Sequence, residues 1–278
     1  MPWKYTDEYY QEYTRTTWND SAGAYRAIMG QFKPFHDALV AGLRPRTGES
    51  VLDLACGPGE PALSIARRVG PQGEVIGVDL SEKMVRLAHR AARAAAVSNV
   101  AFRVMNCEKL EFPDARFDAV ESAFGFQIFT DPEKAAREAH RVLRPGGRIA
   151  VCVWSTAERV PFLNALVGPM LAHAEPDETG YLPTPFETGG PGEMVEFLRR
   201  SGFRAARERR LRRELHYRDP KHYLDTILGG TPLGHSLREE TPKVQREVLA
   251  ATRKNLEAWR TPSGLVLPGE CVFVTAKR

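Results

Sequence analysis

Short apolar runs alternate with amphipathic segments between Ser50 and Trp154. The runs "SVLDLA", "EVIGVDL", "NVAFRVM", "FDAVESA" and "RIAVCVW" are largely apolar on both faces, which is typical of strands in a sheet that helices cover on both sides. The segments "GEPALSIARRVG", "SEKMVRLAHRAARAAA" and "DPEKAAREAHRVL" have helical periodicity. Strands that alternate with such helices predict βαβ units and a mostly parallel sheet.

The segments on either side of this core have a different pattern. The N-terminal part predicts two helices, "YTDEYYQEYTRTTW" and "AGAYRAIMGQFKPFHDALVAGL". The C-terminal part predicts the helix "VPFLNALVGPMLAHA", a loop over 175–192 rich in Pro, Gly and Thr, the helix "GEMVEFLRRSGF" and the strand "RAARERRLRREL". Residues 219–262 are again helical, with breaks at Gly229, Gly230 and Gly234, and "ECVFVTAKR" is a final strand.

Composition places the chain among ordinary globular proteins. Its 278 residues are 42% hydrophobic and 27% charged, with a net charge of +4, which suits one large α/β domain. No apolar run approaches the roughly 18 residues that a membrane span requires. The aromatic and polar N-terminal segment is not typical of a secretory signal peptide. We therefore expect a cytoplasmic protein.

The four cysteines and seven histidines give no metal pattern. Cys56, Cys107, Cys152 and Cys271 lie far apart, with no C-x-x-C pair, which argues against a zinc ribbon or a dithiol motif. No two histidines have H-x-x-x-H spacing. We expect buried, reduced thiols and no bound metal.

The segment "VLDLACGPGEPAL" contains a glycine-rich turn between a strand and a helix. Its Gly57-x-Gly59-x-x-Ala62 spacing fits a dinucleotide fingerprint, but such turns also bind FAD and S-adenosylmethionine (SAM). Asp53 inside the strand would repel a diphosphate and suits a ligand with an ammonium group. Asp79 at the end of the second strand can accept ribose hydroxyls in either case.

Four motifs together carry a family resemblance. "VLDLACGPGEPAL", "VIGVDLSEKMV", "NCEKLEFPDARFDAV" and "EAHRVLRPGGRIAVCVW" resemble the class I SAM-dependent methyltransferases, and most of all the ubiquinone/menaquinone-biosynthesis C-methyltransferase subgroup. The resemblance covers residues 45–155. It implies an α/β, Rossmann-like, seven-stranded, mostly parallel sheet whose last strand is antiparallel, with an N-terminal helical lid and helical cap insertions.

The resemblance also implies a cofactor site that uses SAM and releases S-adenosylhomocysteine (SAH). Asp79 would bind the ribose, Asn106 the adenine and Asp53 the methionine end; family members usually carry Asp where this chain has Asn106. The implied cofactor-binding residues are Trp18, Tyr25, Asp53, Ala55, Cys56, Gly57, Gly59, Asp79, Leu80, Met84, Asn106, Cys107, Glu108, Ser122, Ala123 and Phe124.

The acceptor site is less clearly marked. Phe126 and Gln127 follow the fourth strand and are expected to line an acceptor pocket, because ligands bind at the carboxyl edge of such a sheet. His216 is the candidate general base among the histidines; a general base is needed only if the nucleophile must lose a proton. The arginine-rich run 199–218 is interrupted by glutamates, and we interpret it as a solvated strand edge rather than a nucleic-acid surface.

The expected function is transfer of the SAM methyl group to a small-molecule acceptor of quinone or secondary-metabolite type. Two alternatives remain open: an NAD(P)-dependent oxidoreductase, and a catalytically silent SAM-binding protein. The oligomeric state is not predicted. The expected organisation is a single domain 1–278 made of a lid (1–44), a cofactor-binding core (45–156), cap insertions (157–190 and 219–262), and the last helix and strands of the sheet (191–218 and 263–278).

Overall fold

The computed structural model describes residues 7–174 and 185–278, except for the side chains of Asp7 and Ala27. The strands in these ranges are β1 (Ser50–Leu54), β2 (Glu74–Asp79), β3 (Val100–Val104), β4 (Phe117–Ala123), β5 (Leu143–Trp154), β6 (Arg204–Tyr217), β7 (Arg260–Thr261) and β8 (Gly264–Lys277). The α-helices are α1 (Asp7–Leu43), α2 (Ala62–Val69), α3 (Glu82–Ala94), α4 (Pro132–Val142), α5 (Pro161–Leu171), α6 (Glu193–Arg200), α7 (Pro220–Gly230), α8 (Leu233–Glu239) and α9 (Pro242–Leu256).

The strands form one mixed sheet in the order β3-β2-β1-β4-β5-β8-β6. β1 to β5 run parallel, while β8 lies antiparallel between β5 and β6. The predicted seven-stranded α/β sheet with an antiparallel last strand is therefore confirmed. The short strand β7 adds a hairpin against the start of β8, so the prediction of helix throughout 219–262 is wrong at its end.

Two apolar clusters cover the two faces of the sheet. Along β1, Val51 faces one cluster and Leu52 faces the other, as the two-residue period of a strand requires. Helices α1, α2, α3, α5, α7, α8 and α9 contribute to the first cluster, and α4 and α6 to the second. This arrangement explains why the strands of the parallel core are apolar on both faces.

Side-chain caps fix the starts of several helices. Ser81 accepts a hydrogen bond from the Met84 backbone N–H at the start of α3, and Asp131 does the same for Lys134 at the start of α4. Such caps satisfy backbone donors that have no partner within the helix. The predicted helices "SEKMVRLAHRAARAAA" and "DPEKAAREAHRVL" begin at these caps and are confirmed.

The N-terminal prediction of two helices is wrong, because α1 is one continuous 37-residue helix that contains Pro34. The polar segment around Asn19 suggested a break, but Ser21 and Ala22 are buried there, and Asn19 bonds to another helix. Tertiary contacts thus override the weak helix propensity of these residues. The predicted loop over 175–192 lies partly outside the described residues, which resume at Pro185.

The arginine-rich strand β6 is an edge of the sheet, as predicted. Arg210 pairs with Glu208 and Glu270, while Arg212 and Arg213 are exposed. Charged side chains on an edge strand deter pairing with other chains. Within the described ranges, no helix combines the length and the apolar character needed to cross a membrane.

Candidate functional site

A cavity opens at the carboxyl ends of the parallel strands. Its floor is built from the segments after β1, β2, β3, β4 and β5, its lid from the N-terminal half of α1, and its far wall from α5, α7 and α8. The carboxyl edge is where open α/β sheets bind their ligands. The cavity is therefore the candidate site.

Asp79 ends β2 and braces two neighbouring loops. Its Oδ2 accepts the Gly57 backbone N–H at 2.9 Å, and its Oδ1 accepts the Ser81 N–H at 2.9 Å. Burial raises the pKa of Asp79 to about 6, although the N–H groups of Ser81, Gly57 and Leu80 oppose this shift. The carboxylate lines the cavity, where its remaining lone pairs can accept hydroxyl groups.

The segment after β3 places an amide and a carboxylate on the same wall. Asn106 Oδ1 accepts the Glu108 N–H at 2.8 Å, and Asn106 lines the cavity. Glu108 accepts the Asp131 N–H at 3.0 Å and the Gln11 amide at 3.2 Å. Burial raises the pKa of Glu108. This wall offers the donors and acceptors that the edge of a nucleobase requires.

An aromatic stripe on α1 covers the cavity. Trp18, Tyr25 and Phe32 are spaced seven residues apart, so that they share one helix face, and all three line the cavity. The Trp18 and Tyr25 rings meet edge to face at 5.2 Å. A Cβ placed on Gly57 would lie 3.9 Å from the Tyr25 ring. The lid thus rests directly on the glycine-rich turn.

Four aromatic rings form one end of the cavity, which we call the aromatic box: Phe32, Phe124, Trp154 and Phe162. Phe124 stacks on Trp154 with ring centroids 4.4 Å apart, and Trp154 meets Phe162 at 4.8 Å. Phe32 from the lid closes the group at 5.5 Å from Trp154. These apolar walls favour a planar, uncharged ligand.

Two residues at the floor of the cavity have left-handed backbone conformations. Ala55 follows β1 with φ 60°, and Phe124 follows β4 with φ 64°. Such values are strained for residues with a side chain, and above all for a bulky one. Both residues line the cavity. Strain of this kind persists where surrounding packing fixes it, often beside a ligand site.

The charges around the cavity favour a cationic ligand over a diphosphate. The ionisable carboxylates on its described wall are Asp79 and Glu108, and the cation Arg15 is already paired with Glu12 and Glu82. Glu60 stands at the start of α2, where its carboxylate accepts the Ser64 N–H and hydroxyl. A helix N-terminus occupied by a carboxylate cannot readily take a phosphate there.

Most of the residues expected from the sequence meet at this cavity. Those that line it are Trp18, Tyr25, Ala55, Gly57, Asp79, Leu80, Met84, Asn106, Cys107, Glu108, Ala123, Phe124 and Gln127. Gln127 also accepts the Trp154 backbone N–H through Oε1 at 2.8 Å. Their contacts with a cofactor or acceptor stay a prediction.

Four expected cofactor residues lie behind the wall instead of on it. Asp53 is fully buried beside Glu121 of β4, and Ser122 donates its hydroxyl to the Leu54 carbonyl. Cys56 is buried beneath the turn, and Gly59 packs against α3, where a Cβ would lie 3.2 Å from the Ala88 backbone. These residues shape the glycine-rich turn from behind.

Two expected substrate residues are placed elsewhere, and the sequence interpretation is corrected for both. Phe126 is buried on the opposite face of the sheet, against Phe129 and Phe197, because the chain turns after β4. His216 is exposed on the edge strand β6. Neither residue is among those that line the cavity, so the structure lends no support to Phe126 as a pocket residue or to His216 as a base there.

The structure adds residues that the sequence interpretation did not assign to the site. They come from α1, the end of β5 and the C-terminal helices, and include Gln11, Arg15, Phe32, Trp154, Phe162, Leu163, Ile227 and Ser236. The seven-residue spacing from Trp18 through Tyr25 was the signal that could have found Phe32. The residues from α5 and α7 carry no comparable pattern. In the described ranges, no three or more His, Cys, Asp or Glu side chains are arranged to hold a metal ion.

The sheet order, the antiparallel β8 and the cavity at the strand ends define a Rossmann-like α/β protein with a ligand site at the carboxyl edge of its sheet. Comparison with known proteins gives the family. Residues 27–167 match the model of the ubiE/COQ5 methyltransferase family. The chain belongs to that family.

Curated relatives carry the same family name. The ubiquinone/menaquinone biosynthesis C-methyltransferase UbiE of Yersinia pestis is 44% identical over 121 residues, which are 43% of this chain and 48% of the relative. UbiE of Pasteurella multocida is 37% identical over 147 residues, covering 48% of this chain and 55% of the relative. The matched region thus spans about half of these relatives.

Solved structures share the fold at low sequence identity. The YcgJ protein of Bacillus subtilis has a TM-score of 0.61 and 20% identity, covering 87% of this chain and 98% of its own. The [4+2]-cyclase SpnF has a TM-score of 0.53 and 21% identity, covering 88% of this chain and 80% of its own. A cyclase among these neighbours means that the fold alone does not define the reaction.

Proposed function

We propose that this protein transfers the methyl group of SAM to a planar, apolar acceptor of quinone type. The observation that carries the proposal is that the aromatic box lines the same cavity as Ala55, Gly57 and Asp79, the residues expected to bind the cofactor. The ubiE/COQ5 family match supports both the reaction and the acceptor class.

The chain's own residues suit SAM better than a dinucleotide. Asp79 and Asn106 offer an acceptor and a donor for ribose and adenine, while Leu80 and Met84 provide apolar surface beside them. The acidic cavity wall would attract a sulfonium and an ammonium group. Glu60, at the start of α2, opposes the pyrophosphate of NAD(P).

When bound, SAM supplies an activated methyl group on a sulfonium, so that the protein has little bond chemistry to catalyse. The aromatic box holds a flat acceptor in place and excludes water, which are the main contributions to such a displacement. Tyr25 lines the cavity beside Phe32, and burial raises the pKa of its phenol further above neutrality. This environment suits an acceptor that is already nucleophilic when it binds.

The first test is a binding measurement on the purified protein. Isothermal titration with SAH and SAM should give micromolar or tighter dissociation constants, whereas NADH and NADPH should show no saturable binding. Tight NAD(P)H binding without SAH binding would contradict the proposal. SAH binding without methyl transfer to any reduced quinone or phenolic acceptor would favour a catalytically silent protein.

The aromatic box gives a second prediction. Phe32→Leu should raise the acceptor KM by roughly 2- to 12-fold, which corresponds to the loss of aromatic contacts worth about 0.5–1.5 kcal/mol. The dissociation constant for SAH should change less than twofold. Steady-state kinetics with a saturating concentration of SAM measure the acceptor KM, and isothermal titration measures the dissociation constant for SAH.

The matched control is Phe112→Leu, which removes an aromatic side chain from the opposite face of the sheet. Phe112 packs against Phe117 at 5.1 Å, in the second apolar cluster. It should leave the acceptor KM unchanged. Equal effects of the two substitutions would mean that Phe32 acts only through general stability.

The cell compartment is part of the same proposal. All four cysteines are buried and unpaired, which is compatible with a reducing compartment such as the cytoplasm. A fusion to a fluorescent protein, followed by fractionation of the source cells, tests this expectation.

A further inference from the structure

A polar stripe on α1 holds the lid against the cofactor loops. Gln11, Arg15 and Asn19 are spaced four residues apart, so that they share one face of the helix. The Gln11 amide donates a hydrogen bond at 3.2 Å to Glu108, which lies in the segment after β3. Arg15 and Asn19 both donate to Glu82 at the start of α3. The stripe runs beside the aromatic residues that cover the cavity.

Asn19 completes the N-terminal cap of α3. Its Oδ1 accepts the Ser81 hydroxyl at 2.7 Å and the Lys83 backbone N–H at 3.0 Å, and its Nδ2 donates to Glu82 at 2.8 Å. The Lys83 N–H is one of the donors that a helix start leaves without a partner. A side chain of the lid therefore finishes a helix of the cofactor-binding core.

This cap connects the lid to Asp79. The Ser81 backbone N–H donates to Asp79, while its side chain caps α3 at Met84. Asp79 and Met84 both line the cavity. Contacts made by Asn19 thus bear on the orientation of the carboxylate expected to hold the ribose.

Arg15 adds a two-pronged ion pair to the same point. Its Nη1 lies 2.9 Å from Oε1 and 3.1 Å from Oε2 of Glu82, and Glu12 holds the other side of the guanidinium. The hydrogen bond from the Asn19 amide and, to a smaller extent, the charge of Arg15 lower the pKa of Glu82. Because both side chains of the pair are about one-third exposed, salt should weaken it.

We propose that Gln11, Arg15 and Asn19 form a latch that sets the rate of cofactor release. The proposal rests on SAM binding in this cavity, as proposed above. Trp18 lies between Arg15 and Asn19 in the chain and lines the cavity, and in this proposal a bound cofactor leaves when this part of α1 moves. Opening breaks the contacts of the latch with Glu108, Ser81, Glu82 and Lys83 together. Asn19 is a positioning residue in this device, because it acts through Ser81 and Glu82.

The test measures the release of SAH. Protein loaded with tritiated SAH is chased with excess unlabelled SAH, and retained label is followed by filter binding. Asn19→Ala should release SAH about tenfold faster, a change that corresponds to about 1.4 kcal/mol, with little effect on the association rate. Lys33→Ala is the matched control, since Lys33 forms an exposed pair with Asp37 on the same helix and should release SAH as the wild type does.

A charge-pair cycle keeps the test independent of the folding of one variant. Arg15→Gln, Glu82→Gln and the double variant should release SAH at similar, faster rates, because either change already breaks the pair. Raising NaCl from about 50 to 500 mM should speed release from the wild type more than from the double variant.

The outcomes separate the latch from the proposed function. A wild type that binds no SAH overturns the function and the latch with it. A wild type that binds SAH, together with folded Asn19→Ala and Arg15→Gln variants that release it within twofold of the wild-type rate, overturns the latch alone. Equal acceleration by Lys33→Ala also overturns it, since loosening of α1 in general would then explain the result.

Discussion

Replacing Asp79 with alanine should weaken SAH binding by about 1.5–3 kcal/mol, or roughly tenfold to more than a hundredfold. A carboxylate expected to accept two ribose hydroxyls is lost, along with two charge-assisted bonds inside the protein. The Gly57 and Ser81 N–H groups that Asp79 now accepts would lose their partner. The effect therefore combines a missing ligand contact with a loosened glycine-rich turn.

Isothermal titration of Asp79→Ala and Asp79→Asn separates these two parts. The asparagine oxygen can still accept one hydrogen bond, so we expect an intermediate affinity. Asp225→Ala is a suitable control, because Asp225 is an exposed partner of Lys221. A folded Asp79→Ala variant with unchanged SAH affinity would exclude the ribose role.

The second large effect concerns stability, and it arises from Asp53 and Glu121. These residues are direct neighbours on β1 and β4, and both are fully buried. In the part of the chain that the structure describes, none of the four carboxyl oxygens has a hydrogen-bond partner at bonding geometry, although the Glu121 carboxyl and the Ala62 backbone N–H lie close enough to Asp53 to oppose the rise in its pKa. Two buried carboxyl groups side by side cannot both be ionised without a large penalty.

In the folded state the Asp53–Glu121 pair therefore stays protonated at pH values at which free carboxyl groups are ionised. Burial raises the pKa of Asp53 to about 7, and burial together with the Asp53 charge raises the pKa of Glu121 well above its usual range. The pKa values of the pair are higher in the folded state than in the unfolded state, so the native state binds more protons. The pair therefore contributes to the free energy of unfolding at low pH. The part due to Asp53 is lost as the pH rises from about 4 through 7, and the part due to Glu121 is lost over a range that extends higher, each by about 1.4 kcal/mol per pH unit and proton.

Glu121→Gln should consequently stabilise the protein at pH 8, by about 1–3 kcal/mol, because the amide can donate to Asp53 without ionising. The gain should shrink toward pH 5, where the wild-type pair is protonated. Urea unfolding of both proteins between pH 5 and 8.5 measures this difference. The quantity to compare is the difference in unfolding free energy between the variant and the wild type at each pH. Burial lowers the pKa of His36 to about 4, so His36 makes both proteins more stable as the pH rises, and this trend opposes the effect of the Asp53–Glu121 pair.

Glu133→Gln is the matched control, since Glu133 is exposed on α4 and should leave stability unchanged at every pH. A Glu121→Gln variant that is less stable than the wild type at pH 8 would contradict the protonated pair. A gain that does not depend on pH would mean that packing, not ionisation, explains it.

The sheet could be predicted from the sequence because the residues that mark its strands, turns and helix starts are close together in the chain. The runs that became β1, β2 and β4 are bounded by turns, and Ser81 and Asp131 mark helix starts by their chemistry. Asp79 could be assigned to the site because it ends a strand, and strand ends share one edge. Rules of this kind need no knowledge of tertiary contacts.

Other features depend on contacts between distant parts of the chain. The segment around Asn19 suggests a break, yet it stays helical because its side chain caps α3. Phe162 joins the aromatic box only because α5 folds back over the end of β5. Phe126 and His216 have suitable chemistry, but their side chains lie away from the cavity. No local sequence pattern distinguishes residues that line the cavity from residues of similar chemistry that lie elsewhere.

Alkylation of the four buried cysteines can report how the structure opens. Burial raises the pKa of each thiol, and the thiolate is the form that reacts with alkylating reagents. Cys152 and Cys271 lie in the central strands β5 and β8, so their labelling would report unfolding of the whole sheet. Cys107 lines the cavity. If Cys107 is labelled before Cys152 and Cys271, its labelling would report the rate at which the lid opens.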